Sequence, residues 1–409
     1  MQILILCSKF PYPLKDGGAI ATYNLMSGLS HAGHDINLLT FNTKKHYFKP
    51  GNFPKDKTPS LNIHTIYADT SPKVFSALKN FLFSTKPYIQ KRFGNIRFRE
   101  KLANLIQNNT FDIIQIEGLY LLQYIPFIRA KSTAQISYRA HNIEHEIWSN
   151  LSKSESNIFL KVYLRNLSKR IKKYEQTIIN QYDLLIPISN DDARFFKKSG
   201  NHKPVHVSPV GFESPTHENL PDNENNNHIY FIGSLDWIPN REAIVWFIEN
   251  CWYELKKQHP NIKLYIAGRN APDNFKKKIK YTDIIYKGEV DDVYDFIKDK
   301  KIMIIPLLSG SGMRVKIIEA FMQGKAVVST KLGAMGTKSI DNKHILIAET
   351  ANEFVKKIGL LLQNETMHQK IINNARDLVS ENFDIFEISK SLAQFYSKQI
   401  VTSQTQNLK

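Results

Sequence analysis

Short apolar runs of β-forming residues alternate with helix-like segments along almost the whole chain, and this alternation constrains the fold more than any other feature. In the first half the runs are QILILC (2–7), DINLLT (35–40), FDIIQIE (111–117), AQISYRA (134–140) and DLLIPIS (183–189). Buried strands connected through helices build parallel sheets, because a parallel return requires a crossover. The stretch SPTHENLPDNENNNH (214–228) is polar and rich in Asn and Pro, with little to bury. A second series then follows: HIYFIG (228–233), IKLYIAG (262–268), DIIYKGEV (283–290), KIMIIPL (301–307) and KAVVST (325–330). The expected fold class is α/β, with two doubly wound domains. The first spans 1–213, a linker 214–227, and the second 228–382. A C-terminal helix within 383–409 is expected to pack back on the first domain and end in a frayed tail. At 409 residues the chain exceeds one ordinary core, which agrees with two domains and a cleft between them.

Within the second series, PNREAIVWFIENCWYELKKQ reads as a packing helix. Asn240 is its expected cap, and Ile244, Phe247, Ile248, Cys251 and Leu255 share one face. The two cysteines, Cys7 and Cys251, have neither metal-site nor disulfide spacing and are expected to be buried thiols. No apolar run approaches the length that spans a bilayer, and the opening MQILILC is unlike a signal peptide, so a cytoplasmic location is expected. The 55 Lys and Arg exceed the 38 Asp and Glu, giving a formal charge of +17. Such an excess attracts nucleic acid, anionic lipid or phosphorylated ligands without choosing among them. The basic residues are scattered through α/β units with no recognition module, which argues against nucleic acid.

Chemistry concentrates in PLLSGSGMRVKIIEAFMQGKAVVST (306–330). A strand ends at Pro306, SGSG lets a backbone approach a ligand, and a helix is expected from about Met313 to Gln323. That places Arg314 and Lys316 in its first turn, where the dipole disfavours cations unless an anion lies among them. Lys316 and Glu319 fall on one face. Phosphate for the cations and hydroxyls for the acid suit a nucleoside diphosphate, with Glu319 on the ribose. An intrahelical Lys316–Glu319 pair on a solvated helix is the plainer alternative. The pairs at 191–192 and 291–292 begin helices, so capping accounts for both, and no metal-binding Asp-x-Asp stands out.

The segment continuing through KLGAMG resembles the donor-site signature of the retaining family 4 glycosyltransferases, glycosyl transferases group 1. PYPLKDGGAIATYNLMSGLSHAGHDINLLT, RAHNIEHEIW, GSLDWIPNREAIVWF, IAGR and KGEVDDV resemble further elements of that family. The resemblance implies GT-B architecture, two Rossmann-like domains facing each other across a cleft. It implies transfer of a sugar from a UDP- or GDP-linked donor to a saccharide or lipid-linked acceptor, in cell-surface polysaccharide or glycoconjugate synthesis, with no cofactor and no metal. It places Gly17, Gly18, Gly233, Val290, Ser311, Gly312, Met313, Arg314, Lys316 and Glu319 around the nucleotide sugar. His141 and Glu319 are the implied catalytic residues, and Glu117 and Arg139 are acceptor-side candidates. Gly17 and Gly18 are expected to use glycine's backbone freedom to aim amides at the diphosphate. His145 is a weaker candidate than His141.

Three positions depart from the family pattern. Ser311 stands where many members carry a first glutamate, Ser234 where an arginine often follows the first donor-domain strand, and Asn240 where a lysine is usual. Arg314 and Lys316 are expected to take over the phosphate role of those two cations. A degenerate, binding-only subunit and a nucleotide-sugar epimerase remain alternatives. Two basic stretches, 86–105 and 161–179, are candidates for peripheral contact with the anionic inner face of a membrane; a solvated helix face is the plainer reading.

Overall fold

The computed structural model describes residues 1–54, 58, 60–155, 157–213, 227–310 and 312–407. Ser311 and all of the expected linker except Asn227 lie outside them. The chain divides into two compact units, Met1–Glu213 with Ile385–Lys409, and Ser214–Asp384.

The first unit holds β1 (Gln2–Cys7), β2 (Asp35–Thr43), β3 (Leu61–Ala68), β4 (Ile113–Glu117), β5 (Gln135–Ala140) and β6 (Leu184–Pro187). They form one parallel sheet in the order β3-β2-β1-β4-β5-β6. Alternation along β1 divides the core between the two faces. Ile3, Ile5 and Cys7 pack with Leu25, Met26 and Leu29 of the Gly17–His31 helix and with Leu392 and Tyr396 of the C-terminal helix Ile385–Asn407. Leu4 and Leu6 join Phe98, Leu102, Leu167 and Ile171 on the other side. Tyr396 also donates to Gln115 Oε1 at 2.7 Å and lies 2.8 Å from Ser137 Oγ, which anchors the C-terminal helix to the buried polar atoms of β4 and β5.

The second unit holds β7 (Ile229–Ile232), β8 (Leu264–Ala267), β9 (Ile284–Gly288), β10 (Ile302–Ile305), β11 (Ala326–Ser329) and β12 (Leu346–Ile347). Their parallel order is β12-β11-β10-β7-β8-β9. Counted from its own first strand, this is the order of the first sheet. Each sheet therefore reverses its winding between the first and fourth strands, where crossover helices leave a crevice at the carboxyl ends.

Some local expectations are corrected. β3 and β12 were not evident in the sequence; both are edge strands, and β3 is only half-buried along most of its length. Asn240 does not cap its helix, which spans Ile238–Phe247 with Trp237 at the cap, because Pro239 starts it a turn earlier. That helix passes through a π-helical turn at Ile248–Trp252, so Cys251 and Trp252 are both buried. Both cysteines are free and buried.

Candidate functional site

At the winding reversal of the second sheet, β7 ends at Ile232 beside β10, and the loop 306–314 rises from β10. The following helix spans Val315–Met322, with Arg314 at its cap rather than inside its first turn. Lys316 lies in that turn and reaches back across the reversal. Its Nζ donates to Asn240 Oδ1 at 3.2 Å and to Ile232 O at 3.4 Å, and sits 4.2 Å from the centre of the Phe231 ring. Asn240 Nδ2 donates to Ser234 O at 2.8 Å, and Arg269, from the end of β8, donates Nε to Ser234 Oγ at 3.2 Å. Arg314 lies over the Trp237 ring at 5.4 Å and donates Nη1 to Gly312 O at 2.9 Å. Two glycines make this approach possible. A Cβ at Gly233 would come within 2.9 Å of Asn240 Nδ2 and 3.1 Å of Lys316 Nζ; one at Gly310, whose φ is +112°, would meet Trp237 at 2.8 Å.

Electrostatics single out the same residues. Loss of hydration pulls the Lys316 ammonium down to about 7, with Arg314 pushing the same way and Glu319 opposing. Loss of hydration raises Glu319 to about 7 against the attraction of Lys316. Burial lowers Arg314. Cations held in a weakly hydrated place, against their own solvation, gain most from an arriving anion. Met313 packs at the same loop against the backbone of Gly336, whose φ is +80°. Val290 lies beyond β9, two strands from β7, at the same carboxyl edge.

In the first unit the corresponding reversal lies between β1 and β4. Asp16 caps the Gly17–His31 helix by accepting from Ala19 N at 3.0 Å, and Lys9 Nζ lies 2.5 Å from the same Asp16 oxygen. Gly17 and Gly18 are ordinary first-turn residues with no positive φ, so the expected unusual backbone angles are not used. What they offer is a helix start without Cβ atoms. Glu117, the last residue of β4, is buried and accepts from Thr22 Oγ1 at 3.2 Å, from Gln115 and from His141 Nε2 at 2.5 Å. Arg139 Nη1 lies 3.5 Å from it and donates to Ala21 O at 3.0 Å. Burial raises the Glu117 carboxyl, but Arg139, His141 and the hydrogen bonds outweigh it and bring it to about 2. Arg139 is fully buried. The two acceptor-side candidates are thus interior residues that brace the Gly17–His31 helix and His141, and they present no surface to an acceptor. His141 has a partly exposed ring whose Nε2–H is committed to Glu117.

His145 has a structural partner: its ring bonds Glu175, which also accepts from Glu144 N at 2.9 Å and His145 N at 3.3 Å. Glu175 thereby supplies the carboxylate that Ile143, at the cap of the Glu144–Ser154 helix, cannot. Burial and Glu175 raise Glu144 to about 7, against the hydrogen bond it accepts from Tyr120 at 2.7 Å. Among the described residues no group of three or more His, Cys, Asp or Glu side chains could hold a metal ion.

Residues 15–214 match the family model described as Glycosyltransferase Family 4, and residues 226–364 match Glycosyl transferases group 1. The chain belongs to the family 4 glycosyltransferases. An uncharacterized 44.6 kDa protein in the cps region of Klebsiella pneumoniae is 25% identical over 403 residues, 96% of this chain and 98% of that one. Sucrose-phosphate synthase from Thermosynechococcus elongatus superimposes with a TM-score of 0.72 at 16% identity, covering 98% of this chain and 100% of that one. Anabaena HepE in complex with UDP gives 0.68 at 13%, covering 97% and 100%. These likenesses, with the two six-stranded parallel sheets, establish the GT-B architecture.

For a family 4 glycosyltransferase the informative positions are those that leave the family pattern. Where a lysine is usual, Asn240 receives the ammonium of Lys316, and where an arginine is usual, Ser234 receives the guanidinium of Arg269. Both cations arrive in space from other segments. Arg269 was missed in the sequence; its signal is that IAGR ends a strand bound to the neighbour of Ser234.

Proposed function

We propose that this glycosyltransferase moves a sugar from a nucleoside diphosphate donor, UDP- or GDP-linked, to a saccharide or lipid-linked acceptor with retention of configuration, in cell-surface polysaccharide or glycoconjugate synthesis. The observation that carries the reading is the junction of Lys316, Asn240, Ser234 and Arg269 at the winding reversal of the second sheet, with Arg314 beside it. A diphosphate placed there meets fixed cations and the amides at the start of the Val315–Met322 helix. Its departure is stabilised by charges already in position. Glu319, on the same helix face as Lys316, takes donor hydroxyls. His141, fixed by Glu117, orients the reacting sugar. Glu117 is buried and fully engaged, which leaves it unfit as a general base and favours proton transfer to the departing phosphate, without a metal. HepE structures with UDP and with UDP-glucose support a UDP-linked donor, and the relative in a cps region supports a polysaccharide context. The enzyme is placed at the cytoplasmic face of a membrane; no described helix is long and apolar enough to cross one.

The test is nucleotide release from UDP- and GDP-sugars, with saccharide and lipid-linked acceptors, and proton NMR of the product anomer. Transfer with the donor's configuration supports the reading. An inverted product contradicts retention, donor epimerisation without a glycoside favours an epimerase, and donor binding without turnover favours a binding subunit.

A further inference from the structure

The helix Val74–Phe83 is packed inside out. Asn80 is its one buried residue, while Val74, Phe75, Leu78, Leu82 and Phe83 are exposed, Phe75 at 79% and Phe83 at 80%. The helix Ile158–Ile178 begins the same way, with Ile158, Phe159, Leu160 and Val162 exposed, and buries an apolar stripe only from Leu164 onward. The two helices meet. Arg170 donates Nη1 to Asn80 O at 3.0 Å and Nη2 to Phe81 O at 2.7 Å, and the Phe81 and Tyr163 rings lie 5.9 Å apart. Phe159, Tyr163 and Arg170 share one helical face, so the contact between the helices leads directly to exposed Phe159.

The charge around these residues has one sign. No Asp or Glu occurs between Thr70 and Arg99 or between Asn157 and Tyr174, and Lys73, Lys79, Lys86, Lys161 and Arg165 are exposed. Large apolar side chains in an acid-free basic rim complement a surface that is negative outside and apolar beneath. A second copy of the chain is disfavoured as the occupant, because a two-fold contact would oppose one basic rim to another. We propose that the Val74–Phe83 helix and the first turn of the Ile158–Ile178 helix dock on an anionic lipid bilayer, the aromatic and aliphatic side chains entering the headgroup boundary and the lysines resting on phosphates. This moves the centre of membrane contact from the basic stretches 86–105 and 161–179 to the apolar helix just before the first. It deepens the lipid-linked acceptor reading and is tested apart from it.

The experiment is sedimentation of the full chain with vesicles of phosphatidylcholine alone or mixed with phosphatidylglycerol, at low and high salt. The parent is expected to bind the mixed vesicles and to release as salt rises. Phe75→Ser with Phe159→Ser should lower the partition roughly tenfold or more, since two inserted aromatic side chains are lost. Lys79→Glu with Lys161→Glu should remove the preference for phosphatidylglycerol. All four positions are exposed, so melting curves like the parent's are expected and are recorded as the folding control. A parent that stays in solution with both vesicles, variants that bind as the parent does, or a salt-independent dimer that the Phe75→Ser and Phe159→Ser pair dissociates would each overturn the proposal. Nucleotide release is measured in parallel; its absence counts against the proposed reaction and leaves vesicle binding to stand as support for docking.

Discussion

Lys316 is where chemistry and cost meet. Its ammonium stands between Asn240 and the Phe231 ring with its affinity for a proton lowered to about 7. An arriving diphosphate raises that affinity again, so donor binding takes up a proton. Binding should therefore be strongest below about pH 7 and weaken as pH rises above it, through the range between the free and bound pKa. Lys316→Met, followed by calorimetry with UDP, is expected to cost about 1–3 kcal/mol at neutral pH and to flatten that dependence. Arg269→Ala should weaken UDP in the same assay without changing its pH slope. Glu117 is the opposite case, a carboxylate held down to about 2 from 4.5 by Arg139 and His141. A depressed acid contributes stability that is present above its unfolded pKa and lost as pH falls towards the folded one. The melting temperature of Glu117→Gln should thus lie below the parent's at neutral pH, with the gap narrowing between about pH 4.5 and pH 2. Arg314, Lys316 and Glu319 were legible in the sequence because glycines preceded them and the cations opposed the helix dipole. Glu117 and Arg139 were misread, since a polar residue at a strand end looks the same whether it faces solvent or, as here, lies beneath the Gly17–His31 helix.

Elements were legible where their cores were continuous and obscure where they were not. The strands named from the sequence, β1, β2, β4 to β6 and β7 to β11, are apolar runs buried on both faces of their sheets. β3, with the half-buried sequence LNIHTIYA, and β12, with two residues, lie at sheet edges and lack that signal. Helix starts were harder still, because caps depend on geometry: Arg314 stands outside the helix it was assigned to, and Asn240 within one it was expected to cap. The C-terminal helix Ile385–Asn407 is held to the first unit by Leu392 and Tyr396, both fully buried. Leu392→Ala is expected to cost about 2–5 kcal/mol in denaturant unfolding, as large-to-small changes in a closed core do.

At the scale of the whole molecule, one strand order is used twice, and each sheet places its chemistry at its own winding reversal. That much follows from alternation in the sequence. The pairing of Lys316 with Asn240 and of Arg269 with Ser234 does not, since it joins positions 76 and 35 residues apart through three strands. The central claim is that this junction holds the diphosphate of a sugar donor. It is tested most directly by calorimetric titration of UDP, GDP and uridine into the parent, Lys316→Met and Arg269→Ala. The account predicts that one nucleoside diphosphate binds the parent far more tightly than uridine does, and that either substitution removes most of that difference. Binding of both variants with the parent's affinity and the parent's preference for diphosphate would contradict it.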